Sequence, residues 1–181
     1  MPYIGQTITE VFPTSINVDT ATIATANISN QLTDANMSVG SALQVVQGSL
    51  GSEFSTASSS YVDTGLSVAI TPSSSSSKIF IFASLGSAFI GKDGSEDAQG
   101  FFQIVRGSTS RYESKYRSYD YGGSGSFLIA PVFMSFLDSP STTSATTYKI
   151  QAKLVAGDTI RLAEGNNPAV IQCMEIAGWL I

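Results

Sequence analysis

The sequence predicts an all-β fold, an antiparallel sandwich, and three observations carry that prediction. β-Branched and aromatic residues fall in short runs bounded by Gly, Pro, Ser and Asp, the pattern of strands and turns. "YKIQAKLV" alternates, with Ile150, Ala152 and Leu154 on one side and Lys149, Gln151 and Lys153 on the other. After residue 42 no convincing helix is visible.

In chain order the expected strands are "ALQVVQGSL", "SSSYVDTGLSVAIT", "KIFIFASLGSAFI", "GFFQIVRGS", "SGSFLIAPVFMSFLD", "TTYKIQAKLV", "DTIRLAEG" and "AVIQCMEIAGWLI". Their number and spacing suit an antiparallel sandwich or barrel. Alternation fails in "KIFIFAS" and "FLIAPVFMSF", where both faces are apolar. One face belongs in the core, so the other needs a partner, and oligomerisation supplies it. The serine run Ser73 to Ser77 joins two strong strands and reads as an exposed spacer. Residues 1–42 are rich in Asn, Thr and Ala and lack core-forming residues, so they read as an extended arm or stalk ordered by other chains. Residues 43–181 form the knob.

Only 13% of the residues are charged, about half the usual fraction of roughly 25%. A surface with so little charge is expected to be covered by other subunits. The net charge of −5 and the scattered nine basic residues offer no stripe that could track a phosphate backbone, so no nucleic-acid partner is expected. The opening "MPYIGQTITEVFPTS" has neither a basic region nor a long apolar one, and no run reaches the ~20 apolar residues of a membrane helix. Synthesis in a reducing cytoplasm without a signal peptide, and no membrane partner, are the expectations. Cys173, the one cysteine, lies in an apolar run and reads as a small buried hydrophobe.

The absence of histidine removes the usual general base and the commonest metal ligand, and one cysteine cannot build a thiolate zinc site. "YGGSGSF" lacks the Lys-Ser/Thr of a phosphate loop. Asp93, Glu96 and Asp97 in "GKDGSEDAQG" do not have calcium-loop spacing and read as a solvated hairpin tip. Neither enzyme activity nor a metal or cofactor is expected. The segment "RGSTSRYESKYRSYDYGGSGS" holds four of the seven tyrosines and four of the nine basic residues, so it stands out as a recognition loop. Arg111, Tyr112, Tyr116, Arg117, Tyr119 and Tyr121 form the candidate contact surface for a glycan or a neighbouring protein, Tyr and Arg being the residues of binding hot spots. The alternative is that these tyrosines pack at a subunit interface or over a sheet edge.

"SSSYVDTGLSVAITPSSSSSKIFIFASL", "FLDSPSTTSATTYKIQAKL" and "AVIQCMEIAGW" together resemble a module of structural proteins from tailed bacteriophages, especially those of cyanobacteria and marine hosts. The resemblance spans most of residues 44–181, and the tyrosine-rich segment lies outside its motifs. It implies a jelly-roll knob of the tumour-necrosis-factor and complement-head type, assembling as a homotrimer. "MPYIG" resembles the start of many phage tail-fibre and virion proteins, which implies virion attachment through Pro2, Tyr3, Ile4 and Gly5. The implied function is that of a trimeric capsid decoration or cement protein held to capsid or tail proteins by its arm. A short tail fibre or fibre tip binding the host surface is the second reading, and a soluble glycan-binding module is a third.

Overall fold

The computed structural model describes residues 39–92, 97–119 and 126–178, the side chains of Lys92 and Asn166 excepted. The strands within them are β1 (Ala42–Leu50), β2 (Phe54–Thr56), β3 (Val62–Ile70), β4 (Lys78–Lys92), β5 (Ala98–Arg106), β6 (Thr109–Ser118), β7 (Ser126–Asp138), β8 (Thr146–Ala156), β9 (Thr159–Leu162) and β10 (Ala169–Ile176). All pair antiparallel, in two sheets.

Sheet I is organised around the long β4. Its first half pairs with β10 and its second half with β9, while β7 runs along its other side. β1 extends the sheet beyond β10, and β2 beyond β9. Sheet II has the order β3-β8-β5-β6. An all-β fold of antiparallel strands is therefore what the residue pattern led us to expect.

The core lies between the sheets. Ile79, Ile81, Ala83, Leu85 and Ile90 of β4, Ile171 and Cys173 of β10 and Met134 of β7 meet Leu66 and Ile70 of β3, Phe102 and Ile104 of β5, and Tyr148, Ile150 and Ala152 of β8. The predicted alternation of β8 holds, with Ile150, Ala152 and Leu154 buried. Gly48 allows β1 to close one side of the sandwich, because a Cβ there would strike the backbone carbonyl of Ser67 on β3.

The sequence reading needs correction at two places. The tyrosine-rich segment is mainly strand β6, paired with β5 from Ala98↔Ser118 to Arg106↔Thr109, and not a loop. The serine run is also more than a spacer: the Ser73 N–H and Oγ both donate to Glu175 at 2.7 Å, and the Ser77 N–H closes a turn on the Ser74 carbonyl at 3.1 Å. Gly178 packs so tightly on this turn that a Cβ would overlap the Ser76 carbonyl. The chain enters the sandwich beside it, where the Gly40 N–H donates to the Ala177 carbonyl and the Ala177 N–H to that of Ser41. Of the arm, only residues 39–42 fall within the described residues, and β1 already begins at Ala42.

Candidate functional site

Strand β6 carries most of the predicted contact surface, and its pleat divides those residues between two environments. Tyr112, Ser114, Tyr116 and Ser118 pair with Ile104, Phe102, Gly100 and Ala98, the inward positions of β5. Tyr116 is half-buried, packs against Phe102 with ring centroids 6.1 Å apart, and donates its hydroxyl to the Ala88 carbonyl at 3.1 Å. Burial raises its pKa. Tyr112 stacks on Phe136 at 6.4 Å and stays 40% exposed. Tyr119, just past the strand, is 55% exposed, with the Arg117 guanidinium 4.4 Å over its ring. Arg117 also pairs with Asp97 at 2.6 Å.

Arg111 has a different role from the exposed one expected of it. Its Nη2 donates to Asp138 Oδ1 at 2.7 Å, while Arg106 Nη1 and the Tyr148 hydroxyl each reach Oδ2 at 2.8 Å. Asp138 is fully buried and the two arginines are about three-quarters buried. Burial, and then the bond to Asp138, raise the Tyr148 pKa. Arg111 thus helps to fasten β6 to β7. Tyr121 and the attachment residues Pro2, Tyr3, Ile4 and Gly5 lie outside the described residues, as do Asp93 and Glu96.

The motifs that resemble the phage module are joined to one another by polar contacts. Asp63 of "YVDTGL" accepts from Lys149 Nζ at 2.9 Å and Gln151 Nε2 at 2.6 Å, both of "YKIQ". These bonds, from Lys149 and then Gln151, hold its carboxyl below the usual carboxylate range. Asp138 of "LDSP" holds Tyr148, and Lys78 donates to Ser139 at 2.7 Å. Glu175 of "MEI" receives Ser73 and also Gln44 Nε2 at 2.5 Å. Burial would raise the Glu175 pKa, but these donors outweigh it and hold the carboxyl low. The motif residues therefore hold strands together. Cys173 is fully buried, and desolvation pushes its thiol up to about 12, far from reactive.

The outer faces of the two sheets differ in chemistry. On sheet II, Gln103 donates to Gln151 at 2.6 Å, the Tyr61 hydroxyl donates to Glu113, and Lys153 Nζ lies 4.4 Å from the Tyr61 ring centroid and 4.8 Å from that of Phe101. On sheet I the register aligns Val45, Met174, Phe80 and Leu137 in one row across four strands. Phe82 stacks on Phe133 at 6.1 Å in the rows beside it. Val45, Phe80, Phe127, Ile129, Phe133 and Leu137 are all exposed. The sequence marked β4 and β7 as apolar on both faces without singling out these residues, and it gave no such sign for β1 or β10. The i, i+2 spacing of Phe80/Phe82 and Phe127/Ile129 is the signal that identifies them.

Among the described residues no group of three or more acidic or cysteine side chains is placed to hold a metal ion, and no helix is long and apolar enough to cross a membrane. No protein-family model matches the chain. No curated protein matches its sequence. Among solved structures it is similar to a chain in the structure of the infectious bursal disease virus Gx strain, at a TM-score of 0.33 and 11% identity, over 76% of this chain and 37% of that one. A likeness at that level fixes neither a fold family nor a function.

Proposed function

We propose that the chain is a virion structural protein, a homotrimeric decoration or cement protein on the capsid of a tailed bacteriophage. The observation that carries the reading is the outer face of sheet I. A row of apolar side chains across β1, β10, β4 and β7, exposed at Val45, Phe80 and Leu137, is costly in water and is characteristic of a surface covered by protein. The low charge of the chain and the resemblance of its motifs to the phage module support the same reading.

The knob is read as a jelly roll, two Greek keys wrapped into a sandwich. The strand orders β1-β10-β4-β7 and β3-β8-β5-β6 support this. Its role is structural, without catalysis, cofactor or nucleic acid, and residues 1–42 attach it to the particle beginning with Pro2, Tyr3, Ile4 and Gly5. The second reading, a short tail fibre or fibre tip that binds a host glycan, draws on the exposed Tyr112 and Tyr119.

Immunogold electron microscopy of intact particles tests the proposal. Label over the capsid shell is the expected result. Label confined to the tail tip would favour the fibre reading, and absence from the particle would overturn both.

A further inference from the structure

We propose that the side of the sandwich where β6 meets β7 binds an acidic sugar, a carboxylate-bearing pyranose of a polysaccharide. Lys78, Arg106 and Arg111 take its charge and Tyr112 its ring. The inference rests on the glycan-binding part of the second reading and adds the place and charge of the ligand. It holds alike for a knob on the shell and a knob on the tail.

Three strand ends bring the cations together. Asp138 ends β7 opposite Ile79, and Lys78, the first residue of β4, donates through Nζ to Ser139 Oγ at 2.7 Å. Arg106, the last residue of β5, donates through Nη1 to Asp138 and to the Ser139 carbonyl at 3.2 Å. Arg111 arrives by a bulge. Tyr112 pairs with Ile104 and Ser110 with Val105, which leaves Arg111 as the extra residue. A bulge bends its strand and re-aims a side chain, here toward Asp138.

A tie between β6 and β7 needs one cation for one carboxylate. Here three positive charges gather on Asp138 and Ser139, which hold one negative charge between them, in a chain of net charge −5. Glu113 and Glu175 do not offset the excess. Glu113 accepts from Tyr61 on the outer face of sheet II, and Glu175 is buried with Ser73 and Gln44. Like charges held together repel, so an anion that joins them relieves the repulsion.

Both arginine side chains stay about a quarter exposed, and each gives Asp138 one terminal nitrogen. Arg111 Nε is buried, so its terminal nitrogens are what it offers to a ligand. The planar fork of a guanidinium matches the two oxygens of a carboxylate. Tyr112, next in sequence to Arg111, stacks on Phe136 and stays 40% exposed, and the Arg111 guanidinium lies 5.7 Å from the same Phe136 ring centroid. The open part of Tyr112 thus stands beside the cations. A rigid ring supports the C–H face of a pyranose at little loss of entropy. A nucleic acid would need a series of phosphate contacts, and these cations form one group, not a track.

The test titrates the full-length protein by calorimetry with an oligogalacturonate, an uncharged maltooligosaccharide and a single-stranded oligonucleotide. Binding of the oligogalacturonate alone, weakened at least fivefold by Lys78→Gln and by Tyr112→Ala, is the expected result. Both side chains are partly exposed and lie outside the Asp138 ion pairs, so circular dichroism should show the fold unchanged. Lys115→Gln, on the outward side of β6, should bind as the parent does. Equal binding of the uncharged sugar would overturn this site and leave the glycan reading standing. So would loss of binding in Tyr119→Ala while Lys78→Gln and Tyr112→Ala bind normally. Equal or tighter binding of the oligonucleotide would overturn the choice of a sugar. If neither sugar binds, this site and the glycan reading both fall, and the capsid role is untouched.

Discussion

The two outer faces of the sandwich are built on the same strand pattern and have opposite chemistry. On sheet II, Asp63, Lys149, Gln151 and Gln103 bond to one another, and Lys153 lies over Tyr61 and Phe101. On sheet I the equivalent rows carry Val45, Met174, Phe80, Leu137 and Phe133. The difference shows where a charge-poor chain concentrates its charge. One face is finished for water by its own residues, and the other is left apolar. Between them, Asp138 with Arg106, Arg111 and Tyr148 ties β5, β6, β7 and β8 together.

The largest expected effect is at that tie. Asp138→Ala strands two arginines that are mostly buried, and should cost about 3 kcal/mol or more in urea unfolding, on the scale of broken buried ion pairs. Next is a contrast within the tyrosine-rich segment. Tyr116→Ala should cost about 2 kcal/mol, less than the ~3–5 of a fully buried aromatic because its ring is only half-buried, whereas Tyr119→Ala should leave the melting temperature nearly unchanged. Equal effects of the two changes would contradict the division of this segment into an inner and an outer side.

The faces themselves are compared by adding a charge to one and removing a charge from the other. Phe133→Asp should weaken self-association by more than tenfold, about 2 kcal/mol or more, in sedimentation. Asp63→Ala should leave association unchanged and cost at most about 1 kcal/mol of stability, since its ion pair is partly exposed. The smallest effect is on acid stability. The Glu175 carboxyl is held low in the folded chain, so its contribution is present above the ordinary glutamate range and is lost as pH falls through the lower folded value. Glu175→Gln should therefore flatten the acid limb of a stability–pH profile, and an unchanged limb would remove Glu175 as its cause.

Much of this architecture is legible in the residues. The run "ALQVVQGSL" marks β1, and the Lys/Gln against Ile/Ala/Leu pattern marks β8. Strand β6 was missed because its inward side carries Tyr and Ser in place of aliphatic residues. Its period of two is nevertheless present, with Tyr112, Ser114 and Tyr116 alternating against Glu113, Lys115 and Arg117. β2 is too short, at three residues, to show any period. The partner of Arg111 was not readable at all, since Asp138 lies 27 residues away and meets it only through the packing of β6 on β7. The same holds for Glu175 and the serine turn, which lie 102 residues apart.

The most direct test of the contrast between the faces is hydroxyl-radical footprinting of the full-length protein, read residue by residue by mass spectrometry. Phe127 and Phe133 should be oxidised slowly despite being 75% and 61% exposed in the single chain, while Tyr119, 55% exposed, reacts freely. The Phe133→Asp variant should restore rapid oxidation at Phe127. If Phe127 and Phe133 in the unmodified protein react as fast as their single-chain exposure dictates, the face of sheet I is open to water and the account is wrong.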